Sequence, residues 1–229
     1  MRIRRDPVTV IGDETRNATG RGAGKARGVG RSESQETCPG AHFRHRSSRE
    51  DPGDALASSL FVLGGARSGK SRFAVETHRG RASVTFVATA QAHDADMAAR
   101  IARHRAERPA HWRTLEEPYE LVPCVRACAD AADVVVVDCL TLWISNLMLR
   151  GEADEWIVKQ ADELAALLGL GAGDVTLVSN EVGEGVHPPT TEGRRFRDLL
   201  GTVNQRMAAA ADRVVLMVAG LPVDVKAPR

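Results

Sequence analysis

No apolar run in this sequence approaches the roughly 18 residues that a membrane-crossing helix needs, which excludes an integral helical membrane protein. An excess of one charge is also missing: 31 Lys and Arg against 30 Asp and Glu leave a formal net charge of +1. That balance removes the general electrostatic reason to expect a nucleic acid or a membrane surface as partner. Cysteine is scarce, and Cys38, Cys124, Cys128 and Cys139 form no C-x-x-C pair. A disulfide framework is not expected in a domain of this size, so the four are read as reduced and the protein as cytoplasmic. Cys124 and Cys128, four apart on an expected helix, could share a metal, but with no second pair nearby they read better as small core residues. What remains is a chain of 229 residues, 43% hydrophobic, long enough for one soluble domain of ordinary size.

Residues 1–57 lack a sustained apolar period and are rich in Gly, Ser and Arg, as in Gly20-Arg21-Gly22-Ala23-Gly24 and Arg44-His45-Arg46-Ser47-Ser48-Arg49. Such a stretch buries too little surface to offset its ordering entropy and is expected to be a disordered, solvated extension. No hydrophobic region follows Arg4-Arg5, as a twin-arginine export signal requires. Asp6, Asp13, Glu14, Glu33, Glu36, Glu50 and Asp51 dilute the charge that a nucleic-acid arm would carry. A start site assigned too far upstream would also explain the stretch, since the first structured strand is expected only at Ser59; an intact mass that includes Met1 to Leu56 would refute this.

At Leu60-Phe61-Val62-Leu63 an apolar run begins, and it breaks into Gly64-Gly65-Ala66-Arg67-Ser68-Gly69-Lys70-Ser71. The spacing matches the phosphate-binding pattern G-x-x-x-x-G-K-[ST], which a chain of this length meets by chance on the order of once in a hundred. Gly64 and Gly69 allow backbone conformations in which successive N–H groups turn inward around an anion. The helix opening at Lys70 adds the positive end of its dipole. Lys70 would reach the β- and γ-phosphates, and the Ser71 hydroxyl would hold a bridging Mg²⁺.

Downstream, helical and β-branched segments alternate. Helices are expected over 70–79, 94–107, 119–129, 140–149, 154–168 and 191–211, the second capped by Asp94 and ended by Arg108-Pro109. Strands are expected over 83–88, 112–115, 134–138, 175–178 and 214–218, with an edge strand over 223–226. Val134-Val135-Val136-Val137 is the continuous apolar run of a strand covered on both faces. The pattern predicts an α/β fold, one domain over 58–229 with a doubly wound, mostly parallel sheet of the RecA-like, P-loop nucleotide-hydrolase type. The phosphate loop then lies at the carboxyl ends of the strands, where such sheets bind ligands.

Three further places carry chemistry. Asp138 ends its strand at that same edge, where it would hold Mg²⁺, directly or through water, or else merely cap the next helix. Arg100, His104 and Arg108 recur every four residues on one helix face, with Met97 and Ile101 on another. Flanking like charges disfavour a protonated histidine, and a neutral imidazole can attack phosphorus while the arginines hold its oxygens; the plain alternative is a solvated basic face. Trp112 could stack on a base or fill the core. The loop Ser179-Asn180-Glu181-Val182-Gly183-Glu184-Gly185-Val186-His187-Pro188-Pro189 returns to the active edge, and Glu181 reads as a general base, a Mg²⁺ ligand, or a capping or surface residue.

Taken together, these residues resemble a known family. Gly64 to Arg72, Ala88-Thr89-Ala90, Met97-Ala98-Ala99-Arg100-Ile101 with His104, and Arg108-Pro109-Ala110-His111-Trp112-Arg113-Thr114 look like the bifunctional adenosylcobinamide kinase/adenosylcobinamide-phosphate guanylyltransferases of cobalamin biosynthesis. Ser179-Asn180-Glu181-Val182-Gly183, Arg195-Phe196-Arg197-Asp198, Val203-Asn204-Gln205-Arg206 and Val218-Ala219-Gly220-Leu221-Pro222 continue the likeness, which covers 60–226. Here Arg103 precedes His104 where some members have adjacent histidines, and Glu184 stands where a bulky apolar residue is expected.

The resemblance implies that Gly64, Gly65, Ala66, Arg67, Ser68, Gly69, Lys70 and Ser71 bind nucleotide phosphates, that Ala88, Thr89 and Ala90 line the site, and that Arg105, Ala106, Glu107 and Arg108 contact nucleotide. Glu116 and Asp138 would be nucleotide-site carboxylates, and His104 would take up GMP as a phosphoramidate. The implied reactions phosphorylate adenosylcobinamide with ATP or GTP and then transfer GMP from GTP to give adenosylcobinamide-GDP, in a homo-oligomer suggested to be a trimer. Two other hypotheses are a P-loop small-molecule kinase needing only Lys70, Ser71 and Asp138, and a nucleotide-binding regulator or ATPase that modifies no small molecule.

Overall fold

Continuous β-branched runs need cover on both faces, and the structure supplies it. The computed structural model describes residues 59–92, 94–170 and 173–227; the expected disordered extension over 1–57 lies outside the described residues. The strands are β1 (Ser59–Gly64), β2 (Val84–Ala88), β3 (Arg113–Glu116), β4 (Val134–Asp138), β5 (Asp174–Val178), β6 (Arg213–Val218) and β7 (Leu221–Lys226). They form one sheet in the order β3-β2-β4-β5-β1-β6-β7. All neighbours run parallel except β6 and β7, which are antiparallel, so the expected α/β domain with a mostly parallel sheet is what the chain forms.

The two-residue period of the strands separates two cores. Phe61, Val87, Val135, Val137, Val175 and Leu177 face a thick layer made by helices α3 (Leu121–Ala129), α4 (Leu140–Arg150), α5 (Asp154–Gly169) and α6 (Thr191–Ala210). Leu60, Val62, Phe86, Ala88, Val134, Val136 and Val178 face the other side, where α1 (Lys70–His78) brings Ala74 and Val75. Each of the four valines of β4 is fully buried, and each is worth about 1.5–3 kcal/mol relative to exposure. Helix α2 (Ala95–Ala106) buries none of its residues. Its start is fixed locally, as expected, by the Asp94 carboxylate accepting from the Met97 N–H at 2.7 Å.

Several boundaries shift by one or two residues, and one bond differs from the expectations. β3 begins at Arg113, because Trp112 belongs to the buried cluster beneath α1, and the edge strand begins at Leu221, because the Ala219-Gly220 turn folds it straight back on β6. Cys128 and Cys139 are free thiols, but Cys124 is disulfide-bonded, against the reading of four reduced cysteines. Sequence spacing bears only on pairs close along the chain. Cys124 and Cys128 both lie in the core cluster.

Candidate active site

The loop between β1 and α1 is shaped by steric exclusion. Gly64 has φ +151°, and a Cβ there would lie 2.6 Å from both the Met217 carbonyl oxygen and Ser68 Oγ. Gly69, at φ +96°, forms the N-cap of α1. Arg67 also has positive φ, at +57°, and stands exposed at the loop's apex beside Ala66. From the other side, the Gly220 N–H donates to the Ser68 carbonyl at 3.0 Å, so the β6–β7 turn braces the loop.

Lys70 is buried within this loop. Its Nζ donates to the Gly65 carbonyl at 2.6 Å and to Ser68 Oγ at 3.4 Å. Burial lowers its pKa, the Arg100 charge lowers it further, and Cys139 and Asp138 pull the other way. Burial and Asp138 together push the Cys139 thiol up to about 11, so it is uncharged at neutral pH. Asp138 at the end of β4 and Arg100 on α2 are thus both charges that act on the Lys70 ammonium.

Parallel register aligns the rest. Ala88 pairs with Glu116 on β3 and with Asp138 on β4, while Asp138 and Val62 both pair with Val178. Glu116, Ala88, Asp138, Val178 and Val62 therefore form one row across the carboxyl edge, just below the phosphate loop. Thr89, fully buried, locks the row: its hydroxyl donates to the Cys139 carbonyl at 2.7 Å and accepts from the Cys139 N–H at 2.9 Å. Asn146 Nδ2 donates to the Thr89 carbonyl at 2.8 Å. The Thr89 side chain is thus used up in holding strand to strand.

Arg108 covers the far end of the row. Its guanidinium lies 3.6 Å from the centroid of the Phe86 ring, and NH1 donates to Thr114 Oγ1 at 3.4 Å. Burial lowers its pKa to about 10, against the pull of Asp138 and Glu116, so it stays charged and within reach of both carboxylates. His104 sits one turn earlier with its side chain 34% exposed and Nδ1 3.8 Å from the Glu107 carboxylate. Arg105, Ala106 and Glu107 are exposed beside it.

A family model for cobinamide kinase / cobinamide phosphate guanyltransferase matches residues 60–225. The chain belongs to that family. Over 167 residues, 72% of this chain and 95% of the relative, it is 47% identical to the bifunctional adenosylcobalamin biosynthesis protein CobP of Pseudomonas aeruginosa. It is 40% identical to the Escherichia coli bifunctional adenosylcobalamin biosynthesis protein CobU over 179 residues, 73% of this chain and 99% of the relative. The Salmonella typhimurium protein of the same name is 42% identical over the same lengths. Among solved structures, a chain from work on an ATPase of a bacterial type III secretion system aligns with TM-score 0.46 and 10% identity over 74% of this chain and 57% of that one.

For a cobinamide kinase/guanyltransferase, the loop after β5 closes the remaining side of the site. The Glu181 N–H donates to the Gly64 carbonyl at 3.0 Å, fastening this loop to the first glycine of the phosphate loop. Thr141 Oγ1 accepts from the Asn180 N–H at 2.8 Å, and Asn204 Nδ2 donates to the Asn180 carbonyl at 3.0 Å. The Glu181 carboxylate turns back to accept from the Gly183 N–H at 2.7 Å.

Two features went unassigned in the sequence. The Ala219-Gly220 turn braces the phosphate loop, and the turn signal of Ala-Gly-Leu-Pro after a buried strand could have located it. A cavity of about 180 Å³ beneath the end of α2 is lined by Arg105, Arg108, Pro109, Ala110, Trp112 and Thr114. Trp112 is 6% exposed with its Nε1 unpartnered, so it is a core residue that retains an unused donor, a point no sequence signal carries.

Proposed function

We propose that this enzyme phosphorylates the aminopropanol hydroxyl of adenosylcobinamide with ATP or GTP, and then transfers GMP from GTP through His104 to yield adenosylcobinamide-GDP and pyrophosphate. The observation that carries the reading is the meeting of two elements at one sheet edge: the phosphate cradle after β1, and the stretch with Arg100 and His104 on α2 and Arg108 just past its end, whose guanidinium lies over Phe86 of β2. A kinase needs only the cradle. A guanylyl transfer needs, in addition, a nucleophile for the α-phosphorus.

In the first step Lys70 and the N–H groups of Gly64 to Ser71 stabilise charge on the phosphate oxygens as the γ-phosphoryl moves to the hydroxyl. In the second, His104 Nε2 attacks the α-phosphorus of GTP, a P–N bond forms and pyrophosphate leaves. The phosphate of the corrinoid then attacks the phosphoramidate and releases the imidazole. Glu107 beside Nδ1 favours the tautomer with its proton there, leaving the Nε2 lone pair for phosphorus.

Ser71 and Asp138 are the residues that would hold Mg²⁺. They fit it, because both offer hard oxygens, Ser71 in the first turn of α1 just after the phosphate loop and Asp138 at the carboxyl end of β4. An ion completed by substrate phosphates suits such a pair, and when bound it supplies neutralising charge to those phosphates.

Further parts of the reading concern organisation. We place 1–57 as an extension, 58–229 as the catalytic domain, and the protein in the cytoplasm; no helix among the described residues is long and apolar enough to cross a membrane. A homo-oligomer, a trimer on the resemblance, is supported by the edge strand β7, whose Leu221, Val223 and Val225 are 69%, 49% and 63% exposed.

Incubation with α-labelled GTP tests the reading: the protein should retain acid-labile, base-stable label. His104→Ala should lose label and guanylyl transfer while keeping adenosylcobinamide phosphorylation, and Lys70→Ala should impair both. Guanylyl transfer by His104→Ala at the wild-type rate would remove the histidine from the mechanism. GTP-binding protein that retains no label would instead point to a kinase using only Lys70, Ser71 and Asp138.

A further inference from the structure

We propose that Glu181 is the general base of the phosphorylation step, a reading that rests on the kinase activity proposed above. None of the other assigned residues has this task. Lys70 binds phosphate, Ser71 and Asp138 suit the cation, and His104 serves the other transfer. The hydroxyl that attacks the γ-phosphorus must still lose its proton.

Strand order decides which carboxylate can reach it. Neighbouring strands lie about 4.8 Å apart. Glu116 ends β3, four strand positions from the phosphate-loop strand β1, or about 19 Å. Asp138 ends β4, two positions away, at about 10 Å. Glu181 leaves β5, immediately beside β1, and its own N–H is bonded to Gly64 at 3.0 Å. The chain thus emerges between the carboxylate suited to the cation and the loop suited to the phosphates. Three hydrogen bonds to the loop's backbone hold it there: the Glu181 N–H donates to the Gly64 carbonyl, the Asn180 N–H to Thr141 Oγ1, and Asn204 Nδ2 to the Asn180 carbonyl.

The side chain is oriented as well. Oε1 accepts from the Gly183 N–H at 2.7 Å, and a Cβ at residue 183 would lie 3.0 Å from that oxygen. With Oε1 fixed, Oε2 carries no hydrogen bond among the described residues, and Glu181 is only half-buried, so a hydroxyl can approach it. In the step, a lone pair of the hydroxyl oxygen forms the bond to the γ-phosphorus. The bond from that phosphorus to the β,γ-bridging oxygen breaks, and its electron pair leaves with the nucleoside diphosphate. The hydroxyl proton passes to the Glu181 carboxylate and then to water.

The test uses the full chain and measures the two transfers separately: phosphorylation of adenosylcobinamide with γ-labelled nucleotide, and guanylyl transfer to preformed adenosylcobinamide phosphate. Glu181→Gln keeps an oxygen acceptor for Gly183 but cannot take the proton. Its kcat for phosphorylation should fall about 100-fold with nucleotide KM within about threefold, while guanylyl transfer stays within about threefold of wild type. Glu181→Asp, which keeps a carboxylate, should recover part of the loss. Phosphorylation by Glu181→Gln at the wild-type rate would overturn the proposal, and so would equal loss of both transfers, which marks a merely structural residue. Wild-type protein that transfers no phosphoryl group to adenosylcobinamide would overturn the functional reading itself, and the base with it.

Discussion

Replacing Gly64 by alanine tests whether the phosphate loop is shaped by exclusion, and Gly65→Ala is its matched control. The Cβ at 64 would meet a backbone oxygen and Ser68 Oγ at 2.6 Å, far inside contact distance, whereas a Cβ at 65 meets nothing within 4 Å. Holding alanine at φ +151° costs about 1–3 kcal/mol, and relieving the overlap about as much again. The sum is about 2–6 kcal/mol, or roughly 4–24 °C in Tm for a domain of this size. Gly65→Ala should move Tm by about 1 °C or less. Thermal unfolding followed by circular dichroism reads the difference. The substitution also pushes on Met217 and Ser68, which flank the cradle, so nucleotide affinity should fall for Gly64→Ala even at temperatures where it remains folded. Two variants with equal Tm would refute the steric account of the loop.

Two other predictions concern regions away from the chemistry. Burial lowers the pKa of His78, which Asp174 partly offsets and Arg81 reinforces; its Nε2 lies 2.8 Å from Thr176 Oγ1. The unfolded chain then binds more protons between the folded pKa and 6.5, so stability is lost as pH falls through that window. His78→Gln should weaken the dependence, read as the change in urea midpoint between pH 7.5 and 5; an unchanged dependence would refute it. Val223→Lys, on the exposed face of β7, should lower the oligomeric state seen by light scattering while leaving monomer Tm within a few degrees, and an unaltered assembly would place the contact elsewhere.

The phosphate loop was legible in the sequence because its requirements are local: glycines where positive φ is needed, and a lysine and serine at fixed spacing. The same holds for β4, whose four valines announce a strand covered on both faces, and for the Asp94 cap. Less was legible wherever partners are distant in sequence. Thr89 reads as a polar residue beside a nucleotide site, yet its hydroxyl is spent on the Cys139 backbone, 50 residues away. The Ala219-Gly220 turn supports Ser68 from the far end of the chain. Helix α2 shows a different gap. Its period is correct and places Met97 and Ile101 on one face, but neither is fully buried, because periodicity reports a face and says nothing of what covers it.

Spatial strand order is the part that no local pattern carries, and it is what distributes the roles. In sequence the carboxylates appear as Glu116, Asp138 and Glu181, the first two ending their strands and the third just past one, all at the same edge. In space β1 inserts between β5 and β6, so the last of the three becomes the nearest to the phosphate loop and the first becomes the most remote. The remote one shares its row with Ala88 and lies under the influence of Arg108. A chain with the same residues and the strands in sequence order would bring Glu116 closer to the cradle than Glu181, and the chemistry open to each would change places.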